Sequence, residues 1–440
     1  MNALKIPRRI STAILNSLNS GVVPRIGLEY FAVGRKKETE ALLSDLESVG
    51  QGGSIFRMIV GRYGSGKSFL LNLLRNLALD QGFVVMDCDL SLERRLSGSN
   101  REGLNTYREL VKNLSLKTRP EGGGLPVILE RWISSLQTEV LKRTGLSPQD
   151  PRFSLELERE VFQTVGELED LVHGFDFATV VNSYWKGYLA GDEELKTNSL
   201  RWLRGEYDYR VQAREALGVR VIIDEDSWYD YLKLFSQFVV RIGYKGLLVL
   251  FDEVGNLYKI SHYISRQNNY EKLLFIFNDT TQGKASNFGV FMAGTPQFLE
   301  DTRRGLFSYE ALRSRLSPSR VLDSELLTSS GPVIRLQVLS FEEIFVLLGK
   351  VQEIYSSHYS VPPILSSSEI QAFLNEISRR LGSRDFLTPR EVTRDFLSLL
   401  DTLRLKPEVK FEQIITSPDF QPSREEGQRK PGDDLEDILL

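Results

Sequence analysis

The order of apolar runs and amphipathic stretches predicts an α/β fold, a five-stranded parallel sheet with helices on both faces, and three observations carry that prediction. Mainly apolar segments recur at 56–60, 83–88, 247–251, 288–293 and 333–339, as expected for strands covered on both faces. Helical periodicities separate them, which favours parallel crossovers. The string "VGRYGSGKSFLL" satisfies G-x-x-x-x-G-K-[ST] and stands between the first apolar run and an amphipathic stretch, where a phosphate-binding loop belongs.

In that loop Gly61, Gly64 and Gly66 let backbone N–H groups turn inward around phosphate oxygens, and the helix from Ser68 adds its positive end. Lys67 reaches towards β- and γ-phosphates, the Ser68 hydroxyl is a candidate magnesium ligand, and Ser65 and Phe69 complete the candidate nucleotide-binding set.

The third apolar run, "GLLVLFDEVGNL", stops at Asp252 and Glu253. Beside a phosphate loop such a pair has work to do: Asp252 holds the metal shell and Glu253 polarises the attacking water. A rival stands at "VRVIIDED", where Asp224, Glu225 and Asp226 follow another apolar run. Arg220 interrupts that run, and "DEDSWYDYLKLFSQFVVRI" reads as an acid-capped helix start, so Asp252 is preferred.

Between the second and third strands lies far more chain than one crossover needs, including "EGGGLP" and several amphipathic stretches, and this is read as a helical insertion. Its cluster "SYWKGYLAGDEELKTNSLRWLRGEY" brings together Tyr184, Trp185, Tyr188, Arg201, Trp202 and Arg204. Either these stack on bases and pair with phosphates, or the aromatics form the insertion's own core. The acids Asp192, Glu193 and Glu194 among the bases favour the core. After the fifth strand, "FEEIFVLLGKVQEIYSSHY", "SSSEIQAFLNEISRRLG" and "LTPREVTRDFLSLLDTL" predict three amphipathic helices, a C-terminal helical lid. In the third, Thr388 is a cap and Pro389 the first helical residue, which puts Arg390 at the helix start. From Glu408 the chain is rich in Pro, Gly and charge and is expected to be disordered, with "DDLEDILL" either a solvated end or a docking segment.

Across the 440 residues, 55 Lys and Arg stand against 59 Asp and Glu, a net charge of −4, so no global basic field advertises nucleic acid and any DNA contact must be local. The single cysteine, Cys88, excludes an internal disulfide and three scattered histidines offer no zinc spacing, which favours a reducing cytoplasm. The N-terminal stretch lacks a signal-peptide core, and no run approaches the roughly 18 apolar residues of a membrane helix.

The chain resembles the AAA+ superfamily, particularly its origin-recognition initiator clade: "AVGRKKETEALLSDL" looks like the adenine-side segment and "ALRSRL" like the arginine-finger segment. More closely, it resembles the BREX phage-defence ATP-binding proteins of the BrxD type. That likeness spans residues 10–403 and includes "YFAVGRKKE", "DCDLSLERRLSG", "LRWLRGEY", "WYDYLKLF", "LFDEVGNLYKI", "FMAGTPQFLEDTRRGLFSYEALRSRL" and "LTPREVTRDFL". The phosphate loop is common to many unrelated ATPases; the long strings around it make the match specific.

The resemblance implies an AAA+ fold, ATP bound with Mg2+, hydrolysis, a homo-oligomer, and a cytoplasmic bacterial defence role beside a large helicase-like partner, with DNA contacted directly or through that partner and no membrane. It implies a sensor-one role for Thr295 and a sensor-two role for Arg390. Arg315, or failing it Arg313, takes the finger role, reaching into a neighbouring subunit. Gly34 and Arg35 are placed near adenine or ribose. The initiator clade follows its lid with a winged-helix DNA-binding domain, whereas here the chain runs out soon after the third lid helix, so sequence-specific DNA reading by such a domain is not expected. The expected segments are 1–90 and 219–340 for the two parts of the core, 91–218 for the insertion, 341–407 for the lid and 408–440 for the acidic tail. The function expected is an ATPase that couples ATP to assembly or remodelling of a defence complex on DNA. A nucleotide-gated scaffold and a direct DNA-binding motor are the alternatives.

Overall fold

A computed structural model describes residues 6–169, 171–318, 331–382, 388–418 and 420–423. Along the chain run α1 (Arg8–Asn19), α2 (Lys36–Gly50), β1 (Ser54–Gly61), α3 (Lys67–Asp80) and β2 (Val84–Asp89). Seven helices follow before the next strand: α4 (Glu102–Lys112), α5 (Leu125–Thr144), α6 (Pro151–Glu169), α7 (Gly174–Ala190), α8 (Glu193–Leu203), α9 (Arg210–Leu217) and α10 (Trp228–Arg241). Then come β3 (Leu247–Asp252), α11 (Tyr263–Thr281), β4 (Phe288–Gly294), α12 (Pro296–Glu300), α13 (Glu310–Leu316) and β5 (Val333–Leu336). The last described helices are α14 (Phe341–Tyr359), α15 (Ser367–Leu381), α16 (Pro389–Leu405) and α17 (Phe411–Thr416).

The five strands form one parallel sheet in the order β2-β3-β4-β1-β5. Its registers align the C-terminal ends of β1 to β4. Val60 of β1 lies opposite Gly294 of β4, Phe251 of β3 opposite Met292 of β4, and Asp89 of β2 opposite Asp252 of β3. Every residue of β4 and the first five of β3 are buried, which is why these runs read as continuously apolar. The predicted run at 333–339 is cut to Val333–Leu336, and "VRVII" forms no strand.

The chain divides into two compact units. The first contains Met1–Thr39, Gly61–Asn76 and Arg335–Leu440; the second contains Glu40–Val60 and Leu77–Ile334. In the second unit the helices between β2 and β3 share one apolar core with the strands: Trp132, Phe177, Trp202 and Phe238 belong to the same buried cluster as Val84 and Val249. Beneath the sheet, Arg57 of β1 is clamped by Asp45 of α2 through two bonds of 2.6 Å, both side chains buried.

In the first unit α1 packs against α14 and α16. Sequence-encoded caps set the starts of the C-terminal helices. Ser340 with Glu343 and Ser366 with Glu369 form capping boxes on α14 and α15, and the Thr388 hydroxyl accepts Glu391 N–H on α16. Lys350 of α14 donates to the Ala32 carbonyl at 2.8 Å, tying the N-terminal segment to α14. Among the described residues no helix is long and apolar enough to cross a membrane.

Candidate functional site

The first unit carries the phosphate loop. Gly64 and Gly66 sit at φ +72° and +88°, in the left-handed region where a side chain is strained, and a Cβ on Gly64 would stand 3.0 Å from Thr388 Cβ. Lys67 opens α3 and folds back, its Nζ donating to the carbonyls of Gly61 and Arg62 at 3.0 Å each. Ser65 is buried, and its hydroxyl occupies the space a Gly61 side chain would need. Ser68 and Phe69 are half-buried on the first turn of α3, and Phe69 meets Phe31 edge to face with centroids 5.6 Å apart.

Arg35, expected near adenine or ribose, is engaged with the backbone around the loop. It is 7% exposed and spends its guanidinium on backbone, donating to Ser65 O at 2.8 Å, Gln337 O at 2.7 Å and Gly34 O at 3.4 Å. Burial lowers its pKa, and Glu38 and Glu343 push back. Arg35 is therefore a bolt through the loop. Gly34, at φ +67°, leaves room for the Glu343 carboxylate that caps α14.

Arg390 lies in the first turn of α16, donates to the Tyr63 hydroxyl through Nη1, and stands 5.2 Å from the centre of the Tyr63 ring. The sequence names Tyr63 only as a variable position of the loop motif. With the two 327 positions apart, no local signal could have joined them.

The second unit carries the acids. Asp252 is half-buried at the end of β3, and Glu253 is exposed with φ 53°. Asp252 Oδ1 accepts the Glu253 N–H at 2.7 Å, which turns the chain sharply out of the strand. Asn256 anchors that turn by donating to the Leu90 carbonyl at 2.8 Å. Thr295 follows β4 and caps α12, accepting Phe298 N–H at 3.3 Å; a Cβ on Gly255 would be 3.9 Å from its Oγ1, so the Thr295 hydroxyl borders the turn after the acid pair. Arg313 and Arg315 are exposed on α13. Arg315 is held by Asn278 Oδ1 at 3.1 Å and the Ala311 carbonyl at 2.9 Å, while Arg313 has no side-chain partner among the described residues. Nearby Arg304 is committed to the Tyr258 and Ile260 carbonyls, and Arg320 lies outside the described residues.

Two of the rival acids, Glu225 and Asp224, are engaged by backbone and side-chain donors. Glu225 accepts the N–H groups of Gly98, Gly103 and Leu104 at 2.8, 3.0 and 3.0 Å, so it caps α4 from a distance. Burial raises its pKa against those three bonds. Asp224 accepts the Ser227 hydroxyl at 2.6 Å. In the insertion Tyr184, Trp185 and Trp202 are 1%, 4% and 1% exposed, so these rings form core and offer bases no face. Trp202 donates to the Val221 carbonyl at 2.9 Å, and Arg201 is stacked on Tyr207 at 4.7 Å. Arg204 is half-buried with no side-chain partner among the described residues. The proposed docking segment "DDLEDILL" lies outside them.

Each unit offers an oxygen donor of the kind a hard cation such as Mg2+ takes, the Ser68 hydroxyl in the first and the Asp252 carboxylate in the second. A family model described as BREX system ATP-binding protein BrxC/D matches residues 6–419. Comparison with curated proteins found no match.

Proposed function

The chain belongs to the family of BREX system ATP-binding proteins BrxC/D, and from that premise we propose that it is a Mg2+-dependent AAA+ ATPase that couples hydrolysis to assembly or remodelling of a defence complex on DNA. The observation that carries the reading is the loop of the first unit: a glycine-turned strand-to-helix connection with Lys67 folded over it and the Arg390 guanidinium beside it. Such a loop meets phosphate with backbone N–H groups and two cations.

Bound Mg2+ would neutralise charge on the β- and γ-phosphates. Lys67 would exchange its two carbonyl acceptors for phosphate oxygens, and Ser68 and Asp252 would hold the metal shell. The water would be polarised by Glu253, whose exposure leaves its carboxylate open to solvent. Thr295 would orient the same water or the γ-phosphate from the end of β4. Arg315 or Arg313 would serve a neighbouring subunit in a homo-oligomer, since both are exposed on α13. DNA and a helicase-like partner enter as the things remodelled.

The test is steady-state ATP hydrolysis by wild type and Glu253→Gln, with and without duplex DNA, with oligomeric state followed by light scattering. Turnover lost in the variant, with ATP-bound oligomers accumulating, is the expected outcome. Equal, negligible turnover in both would replace the ATPase with a nucleotide-gated scaffold.

A further inference from the structure

Tyr63 is 47% exposed in the middle of the phosphate loop, and the loop's motif gives it no task. Two separate contacts nevertheless bind this part of the loop to the start of α16. Thr388 closes on Gly64, and Arg390 lies on the Tyr63 ring while donating to its hydroxyl. The stem of Arg390 is braced as well: a Cβ at Gly21 would stand 3.6 Å from its Cγ and 3.7 Å from its Cδ. All of these residues belong to one unit.

A guanidinium carries five N–H donors in a plane. Stacking on an aromatic ring uses the face of that plane and leaves the edge available. Tyr63 takes one edge donor, and among the described residues no other side chain or carbonyl takes the rest. Arg35, beside the same loop, shows the contrast, because carbonyls and Glu38 occupy its guanidinium. Arg390 also sits in the first turn of α16, where the helix dipole disfavours a cation unless an anion is present. A fixed cation with unspent donors, placed against a phosphate loop, is prepared for a phosphate.

We propose that Tyr63 is the positioning residue for Arg390, holding its guanidinium beside the loop so that its free donors are aligned for the outermost phosphate of a bound nucleoside triphosphate. This deepens the ATP-binding reading and rests on it. A long side chain loses rotamer freedom when it grips a ligand, and one already immobilised on a ring loses less. The benefit falls on the triphosphate, because a diphosphate lacks the group Arg390 is aimed at.

The experiment is equilibrium binding of fluorescent ATP and ADP analogues to the full chain and to Tyr63→Phe, Tyr63→Ala, Arg390→Ala and the Tyr63→Ala/Arg390→Ala double variant, with thermal unfolding of each. Expected are ATP affinity about tenfold weaker in Tyr63→Ala, ADP changed less than about twofold, and at least half of the loss recovered by Tyr63→Phe, which keeps the ring. The double variant binds no more weakly than Arg390→Ala, since residues acting as one unit are not additive. Losses that add in the double variant, an equal loss for ATP and ADP, or an unchanged ATP affinity in Tyr63→Ala would overturn the proposal. Failure of the underlying reading looks different: wild type would bind neither analogue, or Lys67→Ala would bind both as wild type does.

Discussion

Asp252 accepts the backbone N–H of its neighbour Glu253 at 2.7 Å, and Glu253 occupies the left-handed region at φ 53°. A glutamate there costs on the order of 1 kcal/mol, and strain of this kind gathers where function demands a particular direction from the chain. Glu253→Gly is therefore expected to be more stable than Glu253→Gln by about 1 kcal/mol, while both lose ATP turnover. Chemical denaturation beside an ATPase assay checks this. A glycine variant less stable than the glutamine variant would remove strain from the account.

How far the sequence reaches can be seen at the same strand. The run 247–251 was legible because a short, uninterrupted apolar run between polar segments fits a strand buried on both faces and gains weight from the phosphate-loop motif upstream, and the acid pair stands out because it ends that run. "VRVIIDED" looks similar over five residues, yet its Glu225 spends its oxygens on the start of α4, more than 120 residues away. The fate of Arg35 and the Tyr63–Arg390 pair were hidden for the same reason, since periodicity reports only neighbours along the chain. Burial decides the insertion's aromatics, and burial depends on packing partners that no window contains.

Those aromatics give the second prediction. Trp202 is 1% exposed and meets Tyr231 at 5.4 Å, so Trp202→Ala should cost about 3–5 kcal/mol of stability. Arg204→Ala should leave stability within about 0.5 kcal/mol of wild type. If the insertion contacts DNA, the arginine variant weakens that binding most at low salt. Urea unfolding and DNA titrations at two salt concentrations separate the two. A Trp202→Ala protein with wild-type stability would return the ring to the surface.

The buried ion pair gives the third. Asp45 holds Arg57 through two bonds of 2.6 Å. Burial pushes the Asp45 pKa up, and the guanidinium pulls it down. Removing one partner leaves a buried charge uncompensated, so Asp45→Ala should cost about 3–5 kcal/mol, while replacing Asp45 by Leu together with Arg57 by Met should fall much nearer wild type. Unfolding midpoints of the three proteins decide it.

Cys88 offers a probe of opening. Its thiol is 2% exposed, and burial pushes its pKa up to about 12. A raised pKa keeps the group protonated and unreactive below that value, so at pH 8 the folded protein should resist iodoacetamide and label only as denaturant unfolds it. Rapid labelling of the native protein would show that β2 opens locally.

The last prediction concerns the arginines of α13. Arg315 is exposed but already shaped by two bonds, from Nε to Asn278 Oδ1 and from Nη1 to the Ala311 carbonyl. Arg313, two residues earlier on the same short helix, has no side-chain partner among the described residues. A finger that acts in another subunit's site benefits from a fixed direction, because less freedom is lost on docking. Arg315→Ala is therefore expected to lower turnover at least a hundredfold while leaving ATP affinity within about twofold. Asn278→Ala, which only releases Nε, should give a partial loss. Mixing Arg315→Ala with Glu253→Gln should restore some activity, since a mixed interface pairs an intact Arg315 with an intact Glu253. The measurement is turnover across mixing ratios. No recovery at any ratio, or a large loss of ATP affinity in Arg315→Ala alone, would place Arg315 in its own subunit's chemistry and pass the finger role to Arg313.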